Sequence, residues 1–135
     1  MEVGRGFLKT VTVGRSDLSA SMGITRKDIE TETVFEATRD LLQQSRQAGI
    51  TTNFGGNIGI ESIPFIVRMS DVADRFETRK VVISIEKDEN KLKQTIHKAL
   101  DFELQWLLYK KSYYTRLSSE DEARIERMRF QLNKD

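Results

Sequence analysis

The spacing of apolar residues along the chain predicts a small sheet. Residues 7–13 and 80–87 alternate apolar with polar side chains and are rich in β-branched residues, which is typical of strands. Residues 62–70 also read as a strand, with Pro64 near its start, where an edge strand tolerates proline. A short helix is expected over 70–79. The pattern therefore predicts a sheet of about three strands.

A long helix is predicted in the N-terminal half, over residues 26–48. Thr25 has the side chain of an N-cap, and Asp28, three residues later, completes a variant of the capping box. Gly49 follows the last helical residues and suits the left-handed position at which helices commonly end. We expect this helix to pack on the sheet.

Two further helices are predicted in the last third of the chain. Asp88 is the expected N-cap of a helix over 88–117. The sequence from Ser119 to Glu122 forms a capping box that would open a separate final helix over 120–133.

The predicted order is strand, helix, loop, strand, short helix, strand, helix, helix. Its length, 135 residues, suits a single domain over 1–135. We expect an α+β fold in which the long N-terminal-half helix and the two C-terminal helices pack on the small sheet.

Helix 88–117 has two apolar faces when its residues are placed at 100° intervals. One face resembles an ordinary core stripe, formed by Ile96, Leu100, Leu104, Leu107 and Leu108. Nearly opposite lies a second face, which we call the aromatic stripe: Phe102, Trp106, Tyr109 and Tyr113. A helix whose back is in water would not carry these rings.

Two partners could cover the aromatic stripe. The first is the predicted final helix, whose own apolar residues also need a neighbour. The second is another chain, because Trp and Tyr are enriched as anchors at protein interfaces. The sequence alone leaves both open, and a homo-oligomer, most simply a dimer, would satisfy the second.

Basic residues border the aromatic stripe at Lys110, Lys111 and Arg116. Aromatic rings with interspersed cations are the composition that grips single-stranded nucleic acid. The formal net charge of the chain is only +1, however, which is not typical of a nucleic-acid-binding module.

A glycine-rich segment over 50–60 is predicted to be irregular. Its residues Asn53, Gly55, Gly56 and Asn57 could form a backbone nest for a ligand, and a small enzyme could have its site at 51–59. It lacks the spacing of a phosphate-binding loop, so turn formation is the simpler interpretation.

Several classes of chemistry are not expected. Cysteine is absent, and His97 is the single histidine, so thiolate sites and paired imidazoles are excluded within one chain. Asp101 could orient His97, but we predict no catalytic residue, no metal and no cofactor. No apolar run reaches the roughly 20 residues of a membrane span, and a cytoplasmic location without membrane contact is the default expectation.

These patterns predict a non-enzymatic, oligomeric binding protein, a regulator, adaptor or assembly component that acts through the aromatic stripe on a protein partner. Nucleic-acid binding through residues 106–116 is the alternative. A small enzyme with its site at the glycine-rich segment is the third.

Overall fold

The structure, a computed structural model, describes residues 6–133. The chain divides into two compact units, one ending at Leu100 and the other beginning at Asp101. The described residues form a mixed α+β fold with a four-stranded sheet and four α-helices, in agreement with the predicted class. The sheet has one strand more than predicted, and the placement of several helices differs.

The first unit contains the whole sheet, in the order β1 (Thr10–Gly14), β2 (Thr51–Gly55), β3 (Arg75–Glu77) and β4 (Val82–Ser84). The pairs β1–β2 and β2–β3 are parallel, whereas β3–β4 is antiparallel. Strand β4 matches the predicted alternation, because Ile83 is buried between exposed neighbours.

Strand β2 corrects the prediction of an irregular segment over 50–60. It is the second of three parallel strands, and Thr52, Asn53 and Phe54 are all buried. A strand covered on both faces does not alternate apolar with polar residues, so it shows no period of two. Its glycine and asparagine residues, which are uncommon in strands, also made the segment resemble a loop in the sequence.

The two segments after β2 have the reverse of the predicted secondary structure: a helix comes first and a strand second. Residues 62–70 are not a strand: a 3₁₀ turn (Ile60–Ser62) leads into helix α3 (Ile63–Arg68), and Pro64 occupies the first turn, where no backbone donor is needed. Residues 70–79 are not a helix but a turn followed by β3. Buried residues at 63, 66 and 69 follow the helical period.

The long helix predicted over 26–48 begins later than expected. Residues 15–21 form helix α1 (Arg15–Ser21), and the long helix α2 spans Glu32–Gln47, preceded by a separate 3₁₀ turn over 26–28. Thr25 makes no capping bond to the backbone, because its hydroxyl donates to the Asp28 carboxylate instead. The predicted end at Gly49 is confirmed by a φ of +74°.

One helix, α4 (Glu89–Leu132), replaces the two predicted C-terminal helices. Asp88 caps it as expected: its carboxylate accepts hydrogen bonds from the N–H groups of Asn90 and Lys91. The predicted boundary at Ser119 is wrong, since that hydroxyl donates to the Thr115 carbonyl one turn earlier. A serine that bonds back in this way is compatible with a continuous helix.

Phenylalanine rings pack together within the otherwise largely aliphatic core of the first unit. Phe65 of α3 lies 5.1 Å from Phe35 of α2 and 5.6 Å from Phe54 of β2, measured between ring centroids. Leu92 and Ile96 from the start of α4 are buried in the same cluster. No helix within residues 6–133 is both long and apolar enough to cross a membrane.

Candidate functional site

The carboxyl ends of the three parallel strands lie side by side in the first unit. Gly14 at the end of β1 pairs with Gly55 at the end of β2, which in turn pairs with Glu77 at the end of β3. We call this the strand-end edge. Ligands of α/β proteins commonly bind at such an edge, because side chains from several strands and loops meet there.

Arg15, the first residue after β1, is fully buried beside this edge. Its guanidinium donates to the Glu30 carboxylate at 2.9 Å, to the Gly56 carbonyl at 2.9 Å and to the Ser62 hydroxyl at 3.3 Å. The same guanidinium lies 4.4 Å from the centre of the Phe65 ring. These contacts join four separate segments of the chain.

Glu30 and Ser62 complete this cluster. The Ser62 hydroxyl donates to the second oxygen of Glu30 at 2.7 Å and accepts the Gly59 N–H at 3.1 Å. Both carboxylate oxygens of Glu30 are therefore engaged within the first unit. The two terminal nitrogens of Arg15 are occupied by these neighbours and hold the segments together, whereas its buried Nε has no hydrogen-bond partner among the described residues.

The four residues predicted as a loop site divide between the strand and the turn that follows it. Asn53 and Gly55 belong to β2, whereas Gly56 and Asn57 form a turn with φ of +97° and +51°. A Cβ on Gly56 would lie 2.7 Å from the backbone nitrogen of Ser16. The turn is thus packed against the start of α1, and does not form the open nest considered from the sequence.

Asn53 is the polar side chain of β2 that faces this edge. Its amide N–H₂ donates to the Thr12 hydroxyl at 3.1 Å and to the Glu77 carboxylate at 2.6 Å. Its amide oxygen is buried and has no hydrogen-bond partner among the described residues. A buried acceptor without a hydrogen-bond partner lowers the stability of a folded protein, so this oxygen marks a position that a donor group would fill.

At the opposite end of β2, Asp74 holds the strand in place. The backbone N–H of Thr52 donates to the Asp74 carboxylate at 2.8 Å and lowers its pKa. The Thr52 hydroxyl and the nearby Arg46 lower the pKa further. This carboxylate accordingly stabilises the sheet in its charged form.

The aromatic stripe lies in the second unit, on residues 101–132 of α4. Its four side chains are 42% to 66% exposed within the chain. The predicted alternative cover, a final helix folded back on the stripe, is excluded because residues 120–132 continue the same helix. The stripe is therefore open to another molecule.

Two of the three bordering cations contact aromatic rings within the helix. Arg116 lies 5.5 Å from the centre of the Tyr113 ring, and Lys110 lies 5.8 Å from that of Tyr114. The rings of Trp106 and Tyr109 are 6.4 Å apart. The first contact places Arg116 over a ring of the stripe, where a base would have to stack, whereas Tyr114 lies outside the stripe.

The leucines predicted to continue the core stripe are also exposed. Leu104, Leu107 and Leu108 are each about half exposed, whereas Ile96 is fully buried. The core stripe of the helix thus ends near Leu100. Beyond it, α4 carries two uncovered apolar faces, of which only the aromatic one was expected to be open.

His97 and its neighbours show no sign of a metal centre. His97 is exposed on α4, and within residues 6–133 no group of His, Asp and Glu side chains is arranged to hold a metal ion.

Comparison with models of known families, with curated protein sequences and with solved structures finds no match to this chain.

Proposed function

We propose that this chain is an oligomeric binding protein, a regulator, adaptor or assembly component, whose aromatic stripe binds a protein partner. The observation that carries the proposal is the exposure of Phe102, Trp106, Tyr109 and Tyr113 along one face of α4. Monomeric proteins rarely leave a contiguous apolar face uncovered. Trp and Tyr are also the residues that most often dominate the free energy of protein association.

The charge of the second unit favours a protein over a nucleic acid. Residues 101–132 contain six basic and six acidic side chains, so they carry no net positive charge. Nucleic-acid affinity depends on excess cations that neutralise phosphates and release counterions. Of the cations that border the stripe, Arg116 already contacts a ring of the stripe, that of Tyr113.

Site-specific photo-crosslinking in the native host tests the proposal. A photoreactive phenylalanine analogue at Tyr109 should give a discrete crosslinked product with another polypeptide, whereas the same analogue at the exposed Ser119, outside the stripe, should not. The additional change Trp106→Ser should remove the product, because a central anchor typically contributes 2 kcal/mol or more. Equal labelling at both positions, or none, would contradict the proposal.

Nuclease treatment and a binding assay separate the nucleic-acid alternative. A crosslinked product that nuclease degrades would identify nucleic acid as the partner. Anisotropy of labelled single-stranded RNA at two salt concentrations should show no tight binding by the wild type. Tight, salt-sensitive binding that is lost in the variant Lys110→Glu/Lys111→Glu would favour the alternative.

A second candidate function is supported by the unpartnered amide oxygen of Asn53. A small polar molecule with an O–H or N–H donor could bind at the strand-end edge, where the Glu77 carboxylate is a further acceptor. A thermal-shift screen of small polyols and amines tests this candidate. At least one compound should raise the melting temperature of the wild type but not of Asn53→Ala. If no compound does so, the edge has a structural role only.

A further inference from the structure

The second uncovered face of α4 follows a regular repeat. Starting at Leu104 and ending at Met128, alternating steps of three and four residues stay on one face of the helix. We call this series the seam; its positions are 104, 107, 111, 114, 118, 121, 125 and 128. Its outer positions are Leu104 and Leu107 at one end and Ile125 and Met128 at the other. All four are 46% to 57% exposed. Polar residues and one tyrosine lie between them.

We propose that the seam pairs with the seam of a second copy of this chain as an antiparallel two-stranded coiled coil. In this pair, Leu104 lies opposite Met128 of the other copy, and Leu107 lies opposite Ile125. The two-fold axis passes near residue 116. The inference rests on the oligomeric state proposed above, but it does not depend on the aromatic stripe.

Charge complementarity at the middle of the seam selects this orientation. In the antiparallel register Lys111 lies opposite Asp121 of the other copy, and symmetry repeats this pair. A parallel, in-register pair would place Lys111 against Lys111 and Asp121 against Asp121, and like charges facing each other are costly. The antiparallel register also sets the large Tyr114 opposite the small Ser118, so that the layer can be filled without a clash.

The charges beside the seam give no net preference for the antiparallel orientation, so the central Lys111–Asp121 pair determines it. Asp101 and Arg129, which flank the seam on one side, attract each other across the antiparallel dimer. Lys110 and Arg124 flank the other side and repel each other. Because these two contributions oppose each other, the Lys111–Asp121 layer supplies the orientational preference.

The dimer would leave the aromatic stripe accessible. Phe102, Trp106, Tyr109 and Tyr113 lie near 180° to 240° from Leu100 on the helical wheel, whereas the seam positions in the same stretch, 104 to 114, lie within about 40° of zero. Each copy therefore presents its stripe on the outer side of the pair. Self-association and partner binding use different faces of one helix.

Engineered disulfides test the orientation in the full-length chain, which has no cysteine of its own. A mixture of the variants Leu104→Cys and Met128→Cys should form a crosslinked dimer on oxidation, whereas neither variant should crosslink alone. Residues 104 and 128 are about 36 Å apart along a helix, so two copies of the same cysteine would be far beyond disulfide distance. The outward-facing mixture of Gln105→Cys and Arg127→Cys is the matched negative control.

Reversal of the central charges provides a second, independent readout. Lys111→Asp and Asp121→Lys should each raise the dissociation constant of the dimer about tenfold or more, measured by sedimentation equilibrium. The double variant should recover a value close to that of the wild type, because it restores two opposite-charge pairs. Circular dichroism of each variant checks that the helix is retained.

Each outcome has a distinct meaning. Crosslinking of Leu104→Cys with itself, or failure of the charge swap to restore the dimer, would overturn the antiparallel seam. A wild-type dimer that crosslinks in neither mixture would also overturn it, while leaving the oligomeric binding protein intact. A chain that is monomeric at every concentration would overturn both proposals.

Discussion

Arg15→Ala should destabilise the first unit by about 3 to 5 kcal/mol, the usual cost of breaking a buried ion pair. Arg15 is fully buried, and the side chain of its partner Glu30 is only 27% exposed. The substitution removes three hydrogen bonds and the contact with the Phe65 ring. It also leaves a carboxylate with one remaining partner, Ser62.

Urea denaturation followed by circular dichroism measures this free energy, and hydrogen exchange of the β2 amides assigns the loss to the first unit. Arg46→Ala is the matched control, because the Arg46–Asp74 pair is half exposed and should contribute about 1 kcal/mol or less. Equal effects of the two substitutions would show that burial of Arg15 has no special role in holding the strand-end edge.

Gly56→Ala should cost about 3 kcal/mol or more for two separate reasons. The φ of +97° is strained for any residue with a Cβ, and the added methyl would lie 2.7 Å from the Ser16 nitrogen and 3.0 Å from the Arg15 nitrogen. Because those are backbone atoms at the start of α1, relief requires the turn to move. Such a movement would also disturb the hydrogen bond from Arg15 to the Gly56 carbonyl.

Gly49→Ala separates strain from crowding. Gly49 has a similar φ of +74°, but a Cβ there would meet no atom within 4 Å. Its substitution should therefore cost only the backbone strain, about 1 to 2 kcal/mol. If denaturation gave the same loss for both variants, the close packing of the turn against α1 would be contradicted.

Local signals in the sequence predict the features that depend on local interactions. The end of α2 at Gly49 and the cap of α4 at Asp88 each need only a few adjacent residues, and both predictions are confirmed. The alternation around Ile83 likewise reflects one covered face. These features involve no distant part of the chain.

Features that depend on tertiary contacts were not predicted. Strand β2 lacks a period of two because its buried residues lie on both faces, and the helix at Pro64 was mistaken for a strand because its residues are largely apolar and β-branched. The capping box at Ser119 is a real motif, but a hydroxyl that bonds back to Thr115 serves the helix interior equally well.

The candidate sites show the same division. The opposed faces of α4 follow from helical geometry alone, so the aromatic stripe could be located from the sequence, although its role stays a prediction. The cluster around Arg15 could not be found, because its partners Glu30, Gly56 and Ser62 are 15 to 47 residues away in the chain. A buried arginine has no local signature in the sequence.

Sedimentation equilibrium of the full-length chain, wild type and Leu107→Asp, tests most directly the claim that α4 is an interaction element. Leu107 is half exposed in the single chain, so the substitution should leave the monomer folded. The wild type should sediment as a dimer, with twice the 15.6 kDa mass of one chain, and the variant as a monomer. A wild type that stays monomeric at every concentration, or a variant that dimerises as well as the wild type, would contradict the account.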